Sequence, residues 1–236
     1  MNKEKIKTIV IICLSIVVVI LLVCMLFVGN NKYYKYYDDD LIEINNDSGF
    51  KVNSNIIYNQ TLGVLLDSSD KESSIGKVKV TFYDKNGEKV FSDSISRAVY
   101  KGSATLFTFN LPSLEGDDYA GAIIVDVDKD SMENNNDNVA IDNINQVIEK
   151  NIDSDNSLSV KATITNKNNS DLSVLGGDIV ALKDGKIVAS SSFYQENVKA
   201  NDSFNVEAKF PPYDSNKAFE YDDIKLYITA IADTSA

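Results

Sequence analysis

Beyond residue 40 the apolar positions of this chain recur at every second residue. Val78, Val80 and Phe82 form one such run, Phe107, Phe109 and Leu111 another, and Ile123, Val125 and Val127 a third. The pattern returns at Leu158, Val160, Ala162 and Ile164, at Phe204, Val206, Ala208 and Phe210, and at Ile224, Leu226 and Ile228. A period of two sends successive side chains to opposite faces, so each run predicts a half-buried β-strand. Leu41–Ile44, Phe50–Val52 and Leu62–Leu66 also have strand character, and Ile95–Val99 reads as a strand or a connector. Clusters of Asn, Asp, Ser and Gly separate the runs, and Pro112 and Pro211-Pro212 stop two of them.

Two turn dipeptides stand out. Asn86-Gly87 lies within VKVTFYDKNGEKVFS (78–92), and Asp184-Gly185 within IVALKDGKIVAS (179–190). Both predict β-hairpins, because the central residues of a type I′ turn need positive φ. A two-residue turn at Asp184-Gly185 places Leu182 opposite Ile187 and Val180 opposite Ala189. The two hairpins belong to a longer repeat. Gly87 aligns with Gly185, Phe107, Phe109, Leu111 and Pro112 with Val206, Ala208, Phe210 and Pro211, and Ile123, Val125 and Val127 with Ile224, Leu226 and Ile228. A shared order of alternation, glycine turn and proline stop indicates a duplication.

Short strands with closely spaced turns predict an antiparallel β-sandwich of immunoglobulin-like type in each copy. The expected fold class is all-β, with two tandem immunoglobulin-like sandwiches behind an N-terminal transmembrane helix; a single larger β fold is the alternative. The expected boundaries are a cytoplasmic tail at 1–8, a transmembrane helix at 9–28, a juxtamembrane segment at 29–40, a first module at 41–130, a linker at 131–157 and a second module at 158–236. Residues 139–152 fit either a short helix, with Ile141, Ile144 and Ile148 at helical spacing, or a further strand.

The one run that does not alternate is Ile9–Val28, which carries no charge and is apolar all round. At 1.5 Å per residue such a helix crosses a hydrocarbon core of about 30 Å. Lys3, Lys5 and Lys7 precede it, so the N-terminus is expected in the cytoplasm and the C-terminal mass outside. Cleavage after a signal peptide and lipidation at Cys24 are the rival readings. The first lacks a small-residue site at Val28-Gly29-Asn30, and the second has Leu21-Leu22-Val23 where small residues belong. The tyrosines of Tyr33-Tyr34-Lys35-Tyr36-Tyr37 suit a membrane–water interface.

Composition narrows the chemistry. The net charge is -12, and the tail before the apolar run is basic, so the rest is more acidic still. Such a surface repels nucleic acid and anionic lipid. There is no His, and both cysteines, Cys13 and Cys24, fall in the apolar run. The exported part therefore has no disulfide, no thiolate and no base that titrates near neutrality, and zinc is not expected. No glycine-rich phosphate loop follows a strand. Catalytic activity and cofactors are not expected. Asp126, Asp128 and Asp130 mimic the start of a calcium loop, but Ser131 stands where that loop needs Gly and Asp137 where it needs Glu. Solvated strand-end aspartates are the alternative.

Val80-Thr81-Phe82-Tyr83-Asp84 followed by Asn86-Gly87 resembles the FxLYD domain of bacterial exported proteins, and Val180–Gly185 occupies the same place in the second copy. The Asn166–Asp171 loop is similar too. Val stands at the first Phe of the motif in both copies, and Lys183 at the Tyr in the second. The resemblance implies a small surface-exposed sandwich and no catalytic residue. The expected function is that of a single-pass bacterial surface protein that binds, adheres or assembles with an unidentified envelope component. The alternative is a passive spacer or an accessory subunit of a membrane complex.

Overall fold

The structure is a computed structural model that describes residues 37–58, 61–68, 73–114, 120–132 and 141–233. The expected tail and spanning helix, residues 29–36 of the juxtamembrane segment, and Asp137 lie outside the described residues. Among the described residues, no helix is long and apolar enough to cross a membrane.

The first half contributes β1 (Ile42–Asn46), β2 (Lys51–Ile57), β3 (Thr61–Asp67), β4 (Ser74–Asp84), β5 (Lys89–Val99), β6 (Ala104–Asn110) and β7 (Ala120–Ser131). The second contributes β8 (Ile144–Ile152), β9 (Leu158–Asn166), β10 (Leu172–Lys183), β11 (Lys186–Val198), β12 (Ser203–Phe210) and β13 (Asp223–Asp233). They form four sheets: sheet I in the order β1-β7-β4-β5, sheet II β2-β3-β6, sheet III β11-β10-β13 and sheet IV β12-β9-β8. The described residues are all-β. Residues 144–152 are a strand, because the face of Ile144, Gln146 and Ile148 turns inward while Asn145, Val147 and Glu149 stay exposed. β8 pairs with β9 from Ile144–Asn166 to Ile152–Leu158, so the second sandwich begins before residue 158.

The two halves repeat one topology. β5-β4-β7 in sheet I corresponds to β11-β10-β13 in sheet III, and β2-β3-β6 to β8-β9-β12. Among the described residues β1 has no counterpart. In the first sandwich Val78, Val80, Phe82, Ile123 and Val125 face Leu62, Val64, Leu66, Phe107 and Phe109, all essentially without solvent exposure. In the second, Leu158, Val160, Ala162 and Ile164 of β9 join one apolar cluster with Ile179, Ala181, Leu226 and Ile228.

The hairpin turns differ. Asp184 and Gly185 both have positive φ (51° and 76°), and Lys183 pairs with Lys186, as a two-residue type I′ turn requires. Leu182 faces Ile187, but a bulge then moves Ala189 from Val180 to Ala181. At the first hairpin only Gly87 has positive φ (80°), and its N–H donates to Asp84 O at 3.0 Å. This is a type I turn closed by a glycine bulge, not type I′. The Asp84 carboxylate selects it by accepting from both Asn86 N and Glu88 N at 2.8 Å.

The sandwiches are not separate beads. The outer face of sheet II lies on the outer face of sheet III, where Ile57, Leu65, Ala104, Leu106, Val180, Leu182 and Ile187 make a second core. β3 and β10 are therefore buried on both sides, as the apolar runs Leu62–Leu66 and Ile179–Leu182 require. Each large aliphatic side chain removed from water there contributes about 1.5–3 kcal/mol. A Cβ on Gly63 would stand 2.8 Å from Ile57 Cδ1 and 3.2 Å from Ile187 Cδ1, so the absent side chain lets the layers approach.

Asn55 is the polar lock of this seam. It is 3% exposed, its Nδ2 donates to Ile187 O at 2.8 Å, and its Oδ1 accepts from Ile187 N at 2.9 Å. The amide thus satisfies both backbone groups of one residue in the other sandwich. Asn55→Ala leaves a buried N–H and C=O unpaired and should cost about 2–4 kcal/mol. A fall of that size in urea unfolding free energy is the expected reading, and a loss below about 0.5 kcal/mol would show that the lock contributes nothing net.

Candidate functional site

Three features could bind or react: the aspartates of β7, the polar groups of the seam, and an open cleft beside β13. The aspartates alternate with Val127 and Lys129, so Asp126, Asp128 and Asp130 fall on the outer face of sheet I. Residues i and i+2 of a strand lie about 6.5–7 Å apart, whereas calcium holds its oxygens at about 2.3–2.6 Å. The three are strung in a line and do not converge. Asp126 lies 4.0 Å from Lys79 Nζ and accepts from Asn45 Nδ2 at 2.8 Å, and Asp130 pairs with Lys77. Among the described residues no group of three His, Cys, Asp or Glu side chains could hold a metal ion.

The seam contains a buried carboxylate that the sequence reading did not single out. Asp178 of β10 is 3% exposed. Its Oδ1 accepts from Ser192 Oγ at 2.6 Å, and its Oδ2 lies 3.7 Å from Arg97 Nη1, beyond a hydrogen bond. The guanidinium instead donates to Leu106 O at 2.8 Å and stands over the Phe107 ring. Burial pushes the Asp178 carboxyl above its usual range, with the Ser192 hydrogen bond and Arg97 opposing.

Two tyrosines cross the same boundary. The Tyr100 ring enters the core of the second sandwich, and its hydroxyl accepts from Ile231 N at 3.0 Å and donates to Ile231 O at 3.4 Å. Tyr58 adopts positive φ (53°), which is strained for a side chain of this size. Its hydroxyl donates to Pro211 O at 3.1 Å, and its ring stacks on Tyr213 at 3.9 Å between centroids. Burial, then Tyr213, pushes its hydroxyl up to about 12.

The cleft has a volume of about 580 Å³ and runs along Ile224–Ile228 of β13. Ile144 and Ile148 of β8 form its second wall, and Gly102–Ala104 with Asp67 close it from the first sandwich. Asp142 joins Asp67 in lining it, with Lys225 as the one cation among the described lining residues. The Tyr227 hydroxyl is pushed up to about 12 by burial and then by Asp67 and Asp223. This mixed lining, aliphatic on two strands and acidic at the rim, suits an extended peptide better than an anion. Alternation makes Ile224, Leu226 and Ile228 legible in the sequence; that their strand lies open does not follow from it.

No family model matches the chain, and no curated protein matches it. Among solved structures, the crystal structure of red sea bream transglutaminase matches with a TM-score of 0.24 and 9% sequence identity, over 71% of this chain and 27% of that one. At that score the likeness carries no argument about fold or activity.

Calcium at millimolar excess should leave the melting temperature unchanged, and a rise that scales with calcium would place the ion on the Asp126–Asp130 row. Asp178 gives a second expectation. Its folded form holds a proton more tightly than the unfolded chain does, so its contribution to stability is present at acid pH and lost as pH rises through its raised folded value. Asp178→Asn should therefore gain on the parent protein from about pH 4 upward in urea melts. A stability difference that does not change with pH would show that the carboxylate carries no such penalty.

Proposed function

We propose that the chain is a single-pass, membrane-anchored bacterial surface protein whose two exported sandwiches, immunoglobulin-like and resembling FxLYD domains, bind or assemble with another envelope component. The anchor is Ile9–Val28, with the basic tail inside and the modules outside.

The observation that carries the binding role is where the exposed apolar side chains fall. Among the described residues the large ones are Ile44, Val90, Phe91, Val147, Ile152, Tyr194 and Tyr213. All but Tyr213 lie on β1, β5, β8 or β11, strands at sheet edges. Edge strands present unpaired backbone groups, and proteins that do not use them blunt them with charge or proline. Apolar edges on a body locked at its central seam suit contact with another chain through strand pairing. A passive spacer needs no such edges.

The cysteine-free exterior allows a direct test of topology. With Cys13 and Cys24 replaced by serine, Lys199→Cys supplies one exposed thiol. A membrane-impermeant maleimide should label it on intact cells. Labelling only after lysis would overturn the surface placement.

A further inference from the structure

The two sandwiches share a strand order but not a strand count, and the difference falls at one edge. β7 and β13 are equivalent: Phe82, Val80 and Val78 pair with Ile123, Val125 and Val127, as Ala181, Ile179 and Gly177 pair with Ile224, Leu226 and Ile228. In the first sandwich the far edge of β7 is covered. β1 lies along it in parallel, from Ile42 opposite Ile123 to Asn46 opposite Val127. In the second sandwich β13 ends its sheet, with no strand beside it among the described residues.

The stretch of β13 equivalent to the covered stretch of β7 is Ile224–Ile228, the stretch that lines the cleft. Its exposure carries the mark of the missing neighbour. Ile224 and Leu226 each retain 7%, where Ile123 and Val125 retain 0%; the next pair, Ile228 at 1% and Val127 at 2%, does not differ in that sense, so the opening is confined to the start of the stretch. One point farther along is already capped, since the Tyr100 hydroxyl bonds both backbone groups of Ile231.

We infer that β13 is an acceptor for a strand donated by another protein: an extended segment with aliphatic residues at alternate positions and a net positive charge, adding parallel to Ile224–Ile228 as β1 adds to β7. Alternate aliphatics are required because the strand would cover the open side of an apolar core between Ile144 and Ile148 on one wall and Ile224 and Leu226 on the other. Positive charge is favoured because Asp67 and Asp142 outnumber Lys225 in the lining, on a chain of net charge -12. The donor is taken as foreign because, among the described residues, the chain's own strand of this kind, β1, is paired with β7. This deepens the proposed binding role by naming a surface and a partner chemistry. It is tested in solution, so its failure leaves the cell-labelling result untouched.

The test uses the full chain in detergent, with Cys13→Ser and Cys24→Ser, and a fluorescent synthetic peptide carrying the sequence Leu41–Asn46 between lysines. Anisotropy should show saturable binding. A version with the flanking lysines replaced by glutamates should bind roughly threefold more weakly at low salt, with the difference shrinking as salt rises. Parallel addition in the register of β1 places peptide position 43 beside Lys225. A cysteine at that position should couple to Lys225→Cys and far less to the exposed control Lys199→Cys. Absence of saturable binding, or equal coupling at the two sites, would overturn the inference. A disulfide-linked dimer of the Lys225→Cys chain without peptide would overturn the foreign donor in favour of a second copy.

Discussion

Everything in this body depends on two sheets giving up their outer faces to each other. Had sheets II and III faced water, β3, β6 and β10 would each show the one-sided pattern of an ordinary sandwich. Instead these strands are apolar on both sides, and the chain becomes four stacked layers. The seam is selective because its apolar contacts surround polar groups that fit in one register only. Asn55 reads both backbone groups of Ile187, so a slip by one residue along β11 would strand all four polar atoms. Gly63 leaves room for Ile57 and for Ile187 of the facing sheet.

The same seam tolerates an electrostatic cost. Asp178 sits in the packed face of β10 with one oxygen held by Ser192 and the other facing a guanidinium bonded to Leu106 instead. A buried carboxylate of this kind adds little to stability and constrains arrangement more than it strengthens it. Arg97 is tied to its own sandwich through Leu106 O, and Asp178 to the other through Ser192. The pair thus marks the boundary from both sides without joining it by a hydrogen bond. Tyr100 supplies the joining bond instead, because its ring is long enough to enter the second core and still bring a hydroxyl to Ile231.

Strand alternation made most of the fold legible. Val78–Phe82, Phe107–Leu111 and Ile224–Ile228 each face as their period of two requires. The duplication was legible for the same reason, since Gly87 and Gly185 anchor both copies. Turn type was not: Asp84 decides it through side-chain bonds that a dipeptide rule does not weigh. β8 was ambiguous because Ile141, Ile144 and Ile148 fit a helical face, while the inward set is Ile144, Gln146 and Ile148, in which a polar residue hides the alternation. The seam was written in the unbroken runs at Leu62–Leu66 and Ile179–Leu182, but a run of that kind says that both faces are covered without saying by what. Asn55 and Tyr100 could not be found locally, because each meets its partner across more than 130 residues of chain, and the guanidinium that faces Asp178 lies 81 residues before it. The aspartates of β7 carried both readings, the start of a calcium loop and a solvated strand face, and they lie on a strand.

The parallel pairing of β1 with β7 has a mechanical side. The chain enters the first sandwich through β1 and leaves it through β7, the two strands run the same way, and they share a five-residue register. Tension between the entrance and the exit therefore slides one strand along the other and loads every rung of that ladder at once. The second sandwich is entered through β8 and left through β13, which belong to different sheets. Among the described residues no ladder there joins entrance to exit, so the same tension peels rather than shears. A pull along the chain thus meets a stiff clasp in one copy of the repeat and a compliant one in the other.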